Sequence, residues 1–325
     1  KSFIILGSGL MTFSLILYLL SGITLVFLFV IPAVVLSALA SLSMPIIDSL
    51  IAESVTSFDR SKAYNTIMLA SVIPGVIAPL LGGLLADRFG FVGVFFLGIV
   101  VQLMILVLVV RFLRERSFAT TSFAMHEVRS FINRTLSPSP HLRNFYRLSA
   151  LDSINVGLGP VIMNGLFTSA FGFTNLQLGI LSVATAISTV IMQIITPRII
   201  DQWGCKITLI LSYLTWLVWI GGVALSRDFT SILVFQIPAG IAIALWVPTI
   251  RLLLANSVTR SERAEAMGRV SFYRGFIGFP APFLGGLLFE NYGYSAPLWT
   301  CFALSLVAMY YIYSQINVQD NRLVT

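Results

Sequence analysis

The chain has 325 residues, of which 57% are hydrophobic and 10% are charged, and its net charge is +7. A soluble domain is typically about 45–50% apolar and about 25% charged. The composition therefore excludes a soluble enzyme, a nucleic-acid-binding domain and a disordered chain. A membrane-spanning helix uses about 20 mostly apolar residues, so this chain can supply roughly eight to ten of them. We therefore expect an all-α, polytopic membrane protein whose main partner is the lipid bilayer.

Ten apolar segments, each able to cross a bilayer, follow one another along the chain. They cover residues 3–20, 24–51, 64–85, 91–110, 145–171, 177–196, 207–225, 230–258, 267–289 and 295–316. The connection over residues 112–144 is long and rich in Arg, Ser and Pro, which predicts a cytoplasmic linker. This pattern predicts an N-terminal bundle (residues 1–111), a C-terminal bundle (145–317) and a cytoplasmic tail (318–325).

The positive charges are distributed unevenly about this predicted topology. Sixteen of the 20 Lys and Arg residues fall on one face, two fall on the other, and Arg251 and Arg274 lie within apolar segments. Lysine and arginine accumulate on the cytoplasmic side of membrane proteins. We therefore predict a multi-pass protein of the cell membrane with both termini of this chain in the cytoplasm.

An internal repeat relates the two halves of the chain. A shift of 203 positions keeps arginines, prolines and glycines in register. The pairs include Arg60 with Arg263, Pro79 with Pro282, Gly82 with Gly285 and Gly83 with Gly286. A parallel repeat of this kind is known from transporters. The second copy extends upstream over residues 145–204 without a counterpart before Lys1, so we expect two further helices ahead of this chain in the intact protein.

Two short motifs resemble signatures of the major facilitator superfamily. Residues 201–206 read Asp-Gln-Trp-Gly-Cys-Lys, which matches the D-x-x-G-x-[RK] centre of its cytoplasmic loop signature, although Pro197 stands where a glycine is usual. Residues 79–83 resemble the end of its fifth-helix signature. The resemblance extends from helix three to helix twelve. It implies two pseudo-symmetric six-helix bundles, of which this chain holds ten of twelve transmembrane helices, and a protein that is not an enzyme.

The resemblance also implies a cytoplasmic gate of charged residues at helix ends. The candidates are Glu53, Arg60, Arg198, Asp201, Gly204, Lys206 and Arg263. The alternative for this set is a group of surface salt bridges, which contribute little to stability. The repeated glycines and prolines at 79, 82, 83, 282, 285 and 286 would let helices approach closely, for gating or for packing alone.

Four ionisable residues lie inside the apolar segments, where charge is costly and often marks function. They are Asp48, Asp152, Arg251 and Arg274. The two aspartates are the candidates for carrying a coupling proton. The alternative is that these side chains reach the membrane interface along their apolar stems.

Uncharged residues extend the candidate substrate cavity. They are Asn155, Asn164, Gln193, Gln236 and Trp246, and the alternative for the amides is hydrogen bonding between helices. Gly157, Gly159 and Pro160 should break the seventh helix of the superfamily scheme. The lysines lack a phosphate-binding loop and the two histidines lack a metal-binding pattern, so we expect no cofactor, no metal and no nucleic-acid partner.

The resemblance implies a secondary transporter that works by alternating access, and we expect it to act as a monomer. Our first expectation is an antiporter for proton-coupled efflux of small organic or apolar compounds, because residues 79–83 resemble the fifth-helix ending and the cavity candidates include few polar residues. An uptake symporter for an organic anion or a sugar-like solute is the alternative, motivated by Arg251 and Arg274. A second alternative is a non-transporting membrane receptor or assembly factor built on a transporter fold.

Overall fold

The computed structural model describes residues 2–41, 60–112, 142–258 and 263–315. Within these ranges the chain is almost entirely helical and contains no strand, which confirms the predicted all-α class. The helices are α1 (Ser2–Thr24), α2 (Val30–Ala40), α3 (Arg60–Phe112), α4 (Arg143–Leu158), α5 (Met163–Phe171), α6 (Asn175–Leu225), α7 (Phe229–Asn256), α8 (Arg263–Gly278), α9 (Ala281–Tyr292) and α10 (Ser295–Gln315). The chain divides into two compact units, Lys1–Thr121 and Ser122–Thr325.

Six stretches of the described residues are long and apolar enough to cross a membrane. They are Ile4–Thr24, Pro74–Phe112, Arg143–Phe171, Asn175–Leu225, Phe229–Leu254 and Ser295–Gln315. Those of 39 and 51 residues can each cross twice, because one crossing takes about 20 residues. A polytopic membrane protein follows from these lengths.

Glycines with positive φ separate successive spans where a loop would otherwise be needed. Gly90 inside α3 has φ 67° and ψ 178°, and Gly204 inside α6 has φ 76° and ψ 166°. Gly293, between α9 and α10, has φ 82° and ψ −176°. This backbone region is essentially restricted to glycine. Gly90 and Gly293 are partners under the 203-residue shift, so the repeat extends to backbone conformation.

The connection between the sixth and seventh predicted segments differs from the sequence expectation. The loop signature at residues 201–206 predicts a cytoplasmic loop here, but α6 is helical on both sides of Gly204. A single glycine in this conformation reverses the chain without the several residues that a loop would need. The charged residues before Gly204 therefore lie on a helix.

Replacing Gly204 with alanine should lower the stability of the folded protein by about 1–3 kcal/mol, because a Cβ is disfavoured at this backbone conformation. Thermal unfolding in detergent measures the change. Gly172→Asn is the matched control: Gly172 has φ 66° and ψ 27°, a left-handed conformation that asparagine tolerates. An equal loss in both variants would contradict the conformational explanation.

The break predicted in the fifth apolar segment, which is the seventh helix of the superfamily scheme, is confirmed. Helix α4 ends at Leu158, Pro160–Ile162 form a 3₁₀ turn, and α5 continues from Met163. The ninth segment is also interrupted, between α8 and α9, at Phe279 and Pro280. Proline cannot donate the backbone hydrogen bond of a continuous helix, which accounts for both interruptions.

Small residues bring α4 very close to α8 and α9. A Cβ built on Gly157 would lie 2.6 Å from the Ala281 Cβ and 3.2 Å from the Pro282 Cδ. A Cβ on Gly285 would collide with the carbonyl oxygen of Leu158. Among the predicted packing residues, Gly285 and Pro282 therefore lie in a tight helix contact.

Two of the other predicted packing residues, Gly82 and Gly286, lie in looser surroundings. A Cβ built on Gly82 or on Gly286 meets no heavy atom within 4 Å. Gly83 is buried and Pro79 is half-buried, both inside α3.

In the first unit, α1 contacts α2 through the hydrogen bond from the Ser14 hydroxyl to the Ala33 carbonyl oxygen (2.7 Å).

The second unit contains two apolar clusters, one toward each end of α4. The first includes Phe145 and Leu148, and the second includes Leu158 and Met163. Asp152 lies between these groups, nine residues after the start of α4 and thus about 13 Å along the helix. The fold therefore places a charged residue in a layer between two apolar cores.

Candidate functional site

A cavity of about 260 Å³ lies inside the second unit, where α4, α6, α7 and α8 meet. Aliphatic and small residues form much of its wall. Its aromatic and charged lining residues are Asp152, Tyr213, Trp216, Trp219, Trp246 and Arg274. Ligand sites are commonly apolar clefts with a few placed polar groups, and this cavity has that composition.

Helical periodicity brings the lining residues together. Asp152, Val156 and Pro160 follow one another at intervals of four along α4 and the 3₁₀ turn. On the part of α6 after Gly204, the residues at intervals of three are Tyr213, Trp216 and Trp219. Residues three or four apart share one face of a helix, so each helix turns one continuous stripe toward the cavity.

An ion pair joins α8 to α4 in the cavity wall. The Arg274 Nη2 donates to the Asp152 Oδ2 at 2.8 Å, and the Tyr213 hydroxyl donates to the Asp152 Oδ1 at 3.2 Å. The Asp152 side chain is 9% exposed and the Arg274 side chain is 35% exposed. The carboxylate is therefore enclosed and held on both oxygens, while the Arg274 side chain is partly exposed and lines the cavity.

The Arg274 guanidinium is also held by an aromatic ring. Its Cζ lies 4.7 Å from the centroid of the Trp246 ring, within the range of a cation–π contact. Its Nε donates to the Ser153 hydroxyl at 3.4 Å. A guanidinium has five N–H donors, and within the described residues no hydrogen bond is formed by Nη1. The Arg274 guanidinium therefore presents a fixed, positively charged edge, on which the Nη1 donors form no hydrogen bond within the described residues.

Two of the predicted amides join helices instead of lining the cavity. Asn155 is buried, and its Nδ2 donates to the Ser305 hydroxyl of α10 at 2.8 Å. The Gln236 Oε1 on α7 accepts from the Thr185 hydroxyl of α6 at 3.0 Å. Both contacts match the alternative considered for these residues, hydrogen bonding between helices.

Three further predicted residues also lie outside the cavity wall. Asn164 on α5 and Arg251 on α7 are exposed, and Gln193 on α6 is half-buried. Of the sequence candidates for the cavity, the structure brings together Asp152, Trp246 and Arg274.

The gate candidates on α6 do not form a charged cluster in this structure. Arg198 and Asp201 are exposed on the part of α6 before Gly204, and Gly204 itself is the point where the chain changes direction. Lys206 lies with its Nζ 5.5 Å from the centroid of the Tyr313 ring. Within the part of the chain that the structure describes, no ion pair joins Asp201 to Arg198 or Lys206.

The remaining candidates lie at or beyond the limits of the described residues. Asp48 and Glu53 fall outside them. Arg60 and Arg263 are the first residues of α3 and α8, and the structure describes their backbone alone. Their proposed roles stay predictions.

Sequence reasoning missed three aromatic residues of the wall: Tyr213, Trp216 and Trp219. They occur in one apolar segment at a spacing of three, which was the available signal. Aromatic residues at helical spacing are common in apolar cores. Only the contact with Asp152 distinguishes Tyr213 as a residue of the site.

A sequence profile of the Major Facilitator Superfamily matches residues 1–151 and again residues 148–321. The uncharacterized MFS-type transporter YuxJ of Bacillus subtilis is 26% identical over 257 residues, which cover 76% of this chain and 64% of YuxJ. The multidrug resistance protein MdtG of Salmonella arizonae is 21% identical over 284 residues, covering 87% and 70% respectively.

The chain thus spans slightly less than two thirds of YuxJ. In fold, it is similar to the crystal structure of the human organic anion transporter MFSD10, with a TM-score of 0.67 and 15% identity. That match covers 95% of this chain and 76% of MFSD10. The two matches of the profile together span nearly the whole chain, and so the chain belongs to the major facilitator superfamily.

Proposed function

We propose that the protein is a proton-coupled secondary transporter that works by alternating access and carries small organic compounds with flat aromatic bodies. The observation that carries the proposal is the enclosed Asp152–Arg274 ion pair in the wall of an aromatic cavity. Ionisable residues within membrane segments commonly mark ion or substrate pathways. Membership of a superfamily of transporters supports the same class of function, which is not enzymatic.

Asp152 is the proposed site of the coupling proton. Its carboxylate is held by Arg274 and Tyr213, so protonation of Asp152 would remove the charge that fixes both partners. A change of contacts of this kind is what a ligand or proton needs in order to favour one of two conformations. Proton binding at Asp152 would therefore change the contacts of Arg274 and Tyr213 in the cavity wall that faces the substrate.

Export in exchange for protons is the first candidate for the direction of transport. The similarity to MdtG, a multidrug resistance protein, supports it. Uptake of an organic anion together with protons is the second candidate, and the partly exposed Arg274 side chain supports it. The protein would act as a monomer in the cell membrane, with the termini of this chain in the cytoplasm.

Flux into proteoliposomes under an imposed pH gradient tests the proposal. With the full-length protein, at least one small aromatic compound of a broad panel should accumulate, and a protonophore should abolish the accumulation. Accumulation in vesicles with an acidic lumen indicates exchange, whereas accumulation in vesicles with an alkaline lumen indicates symport. Protein-free vesicles are the control. Binding without movement of any compound would contradict the proposal and favour a receptor.

A further inference from the structure

We infer that the cavity in the second unit binds aromatic compounds that carry one negatively charged head group, and that Arg274 binds this group. The inference rests on the proposed function, because it assigns a substrate class to the same site. With Asp152 as the proton site, it predicts that the proton and the anion bind together, which favours symport, the second candidate for the direction of transport. It follows from the hydrogen-bond partners and the exposure of the two charged residues of the wall, Asp152 and Arg274.

The acidic member of the pair is enclosed, with one donor on each oxygen. The Asp152 Oδ1 accepts from Tyr213 and the Oδ2 accepts from Arg274, and the side chain is 9% exposed. Little of the carboxylate is open to a cationic ligand, which would also approach the positive charge of Arg274. Like charges at short distance repel strongly where water is scarce. The wall therefore disfavours cations.

The basic member of the pair is open. The Arg274 side chain is 35% exposed, and its Nη1 has no acceptor within the described residues. A planar guanidinium can bind a carboxylate through two parallel hydrogen bonds. Stacking on Trp246 restrains the group before a ligand arrives, which lowers the entropy cost of binding. The wall therefore favours an anion.

The rest of the wall fits the body of the ligand. Trp216, Trp219 and Trp246 line the cavity, and the first two rings meet edge to face with centroids 4.7 Å apart. Aromatic walls favour flat, apolar ligands through stacking and edge contacts. Volume limits the size: about 260 Å³ suits one or two fused rings better than a large amphipathic drug.

Asp152 competes with the ligand for Arg274 under this arrangement. A ligand carboxylate on the same guanidinium places two negative charges beside one positive charge. Neutralising Asp152 should therefore raise the affinity for the ligand anion, whereas neutralising Arg274 should lower it. Opposite effects from two members of one ion pair are not expected if the pair only holds the helices together.

Equilibrium binding of radiolabelled 2-naphthoate to the purified full-length protein tests the inference. We expect saturable binding that the neutral 2-naphthamide and the cationic 2-naphthylmethylammonium do not displace. Arg274→Ala should weaken binding by about ten- to a hundredfold, the effect typical of a hydrogen bond to a charged group. Asp152→Asn should strengthen binding, a gain that misfolding cannot produce.

Arg274→Lys and Arg147→Ala complete the set of variants. Lysine keeps the charge but lacks the planar fork, so we expect an intermediate affinity. Arg147 is an exposed residue of α4, and its variant should bind 2-naphthoate like the wild type. Displacement by the ammonium compound, unchanged affinity in Arg274→Ala, or weaker binding in Asp152→Asn would each overturn the inference.

The binding assay also separates this inference from the proposed function. Binding that requires Arg274 but is not followed by flux would support the anion site and contradict transport. Flux of neutral compounds that is unchanged in Arg274→Ala would support transport and contradict the anion site.

Discussion

Replacing Asp152 with asparagine should abolish the accumulation of substrate that a pH gradient drives. Asparagine occupies nearly the same space but cannot release or take up a proton. Exchange of labelled for unlabelled substrate at equal concentrations needs no proton movement, so this counterflow should persist. Both activities are measured in proteoliposomes that contain equal amounts of folded protein. Loss of gradient-driven accumulation with retained counterflow is the expected result.

Glu290→Gln provides the matched control for this experiment. Glu290 is an exposed acidic residue at the end of α9, away from the cavity wall. Its neutralisation should leave both activities unchanged. If Asp152→Asn still accumulated substrate, coupling would have to lie with another acidic residue, and Asp48, outside the described residues, would be the next to replace.

The second large effect is expected at Gly285, where α9 touches α4. Its Cα faces the carbonyl oxygen of Leu158, so that a methyl group cannot be added unless the helices separate. Overpacking of a close contact typically costs about 1–3 kcal/mol. Gly285→Ala should therefore lower the midpoint of thermal unfolding in detergent.

The neighbouring glycine gives the opposite expectation. A Cβ on Gly286 meets no heavy atom within 4 Å, and alanine is favoured over glycine inside a helix by about 1 kcal/mol. Gly286→Ala should therefore keep or raise the unfolding midpoint. If both alanine variants unfolded alike, the contact between α4 and α9 would not be limiting for stability.

Much of the fold could be predicted from the sequence, because its determinants are local. Apolar length indicated the spans, and Gly159 with Pro160 indicated the break after α4. The joint at Gly204 was placed correctly in the chain but was expected to be a loop. A pattern of residue types does not show that one glycine with positive φ replaces several loop residues.

The candidate site could be predicted only in part, because its composition depends on helix rotation. Asp152 and Asn155 are three residues apart, yet the first faces the cavity and the second contacts Ser305 on α10. Arg251 lies five residues beyond Trp246, which turns it about 140° away around α7. In segments that are apolar on every side, no periodic pattern indicates which face is turned inward.

The three glycines with positive φ at helix joints, Gly90, Gly204 and Gly293, have a consequence for the gate prediction. Each follows an acidic residue by three positions and an aromatic residue by one, in residues 87–90, 201–204 and 290–293. Lys206 lies beside Tyr313 near the end of α10, whereas Gly293 precedes the start of α10, so the same four-residue pattern marks opposite ends of the second unit. The pattern is therefore an element that joins successive helices, whichever end of the bundle they meet at. A gating role for Asp201 would have to come from the residues around this joint, because an equivalent joint lies at the other end.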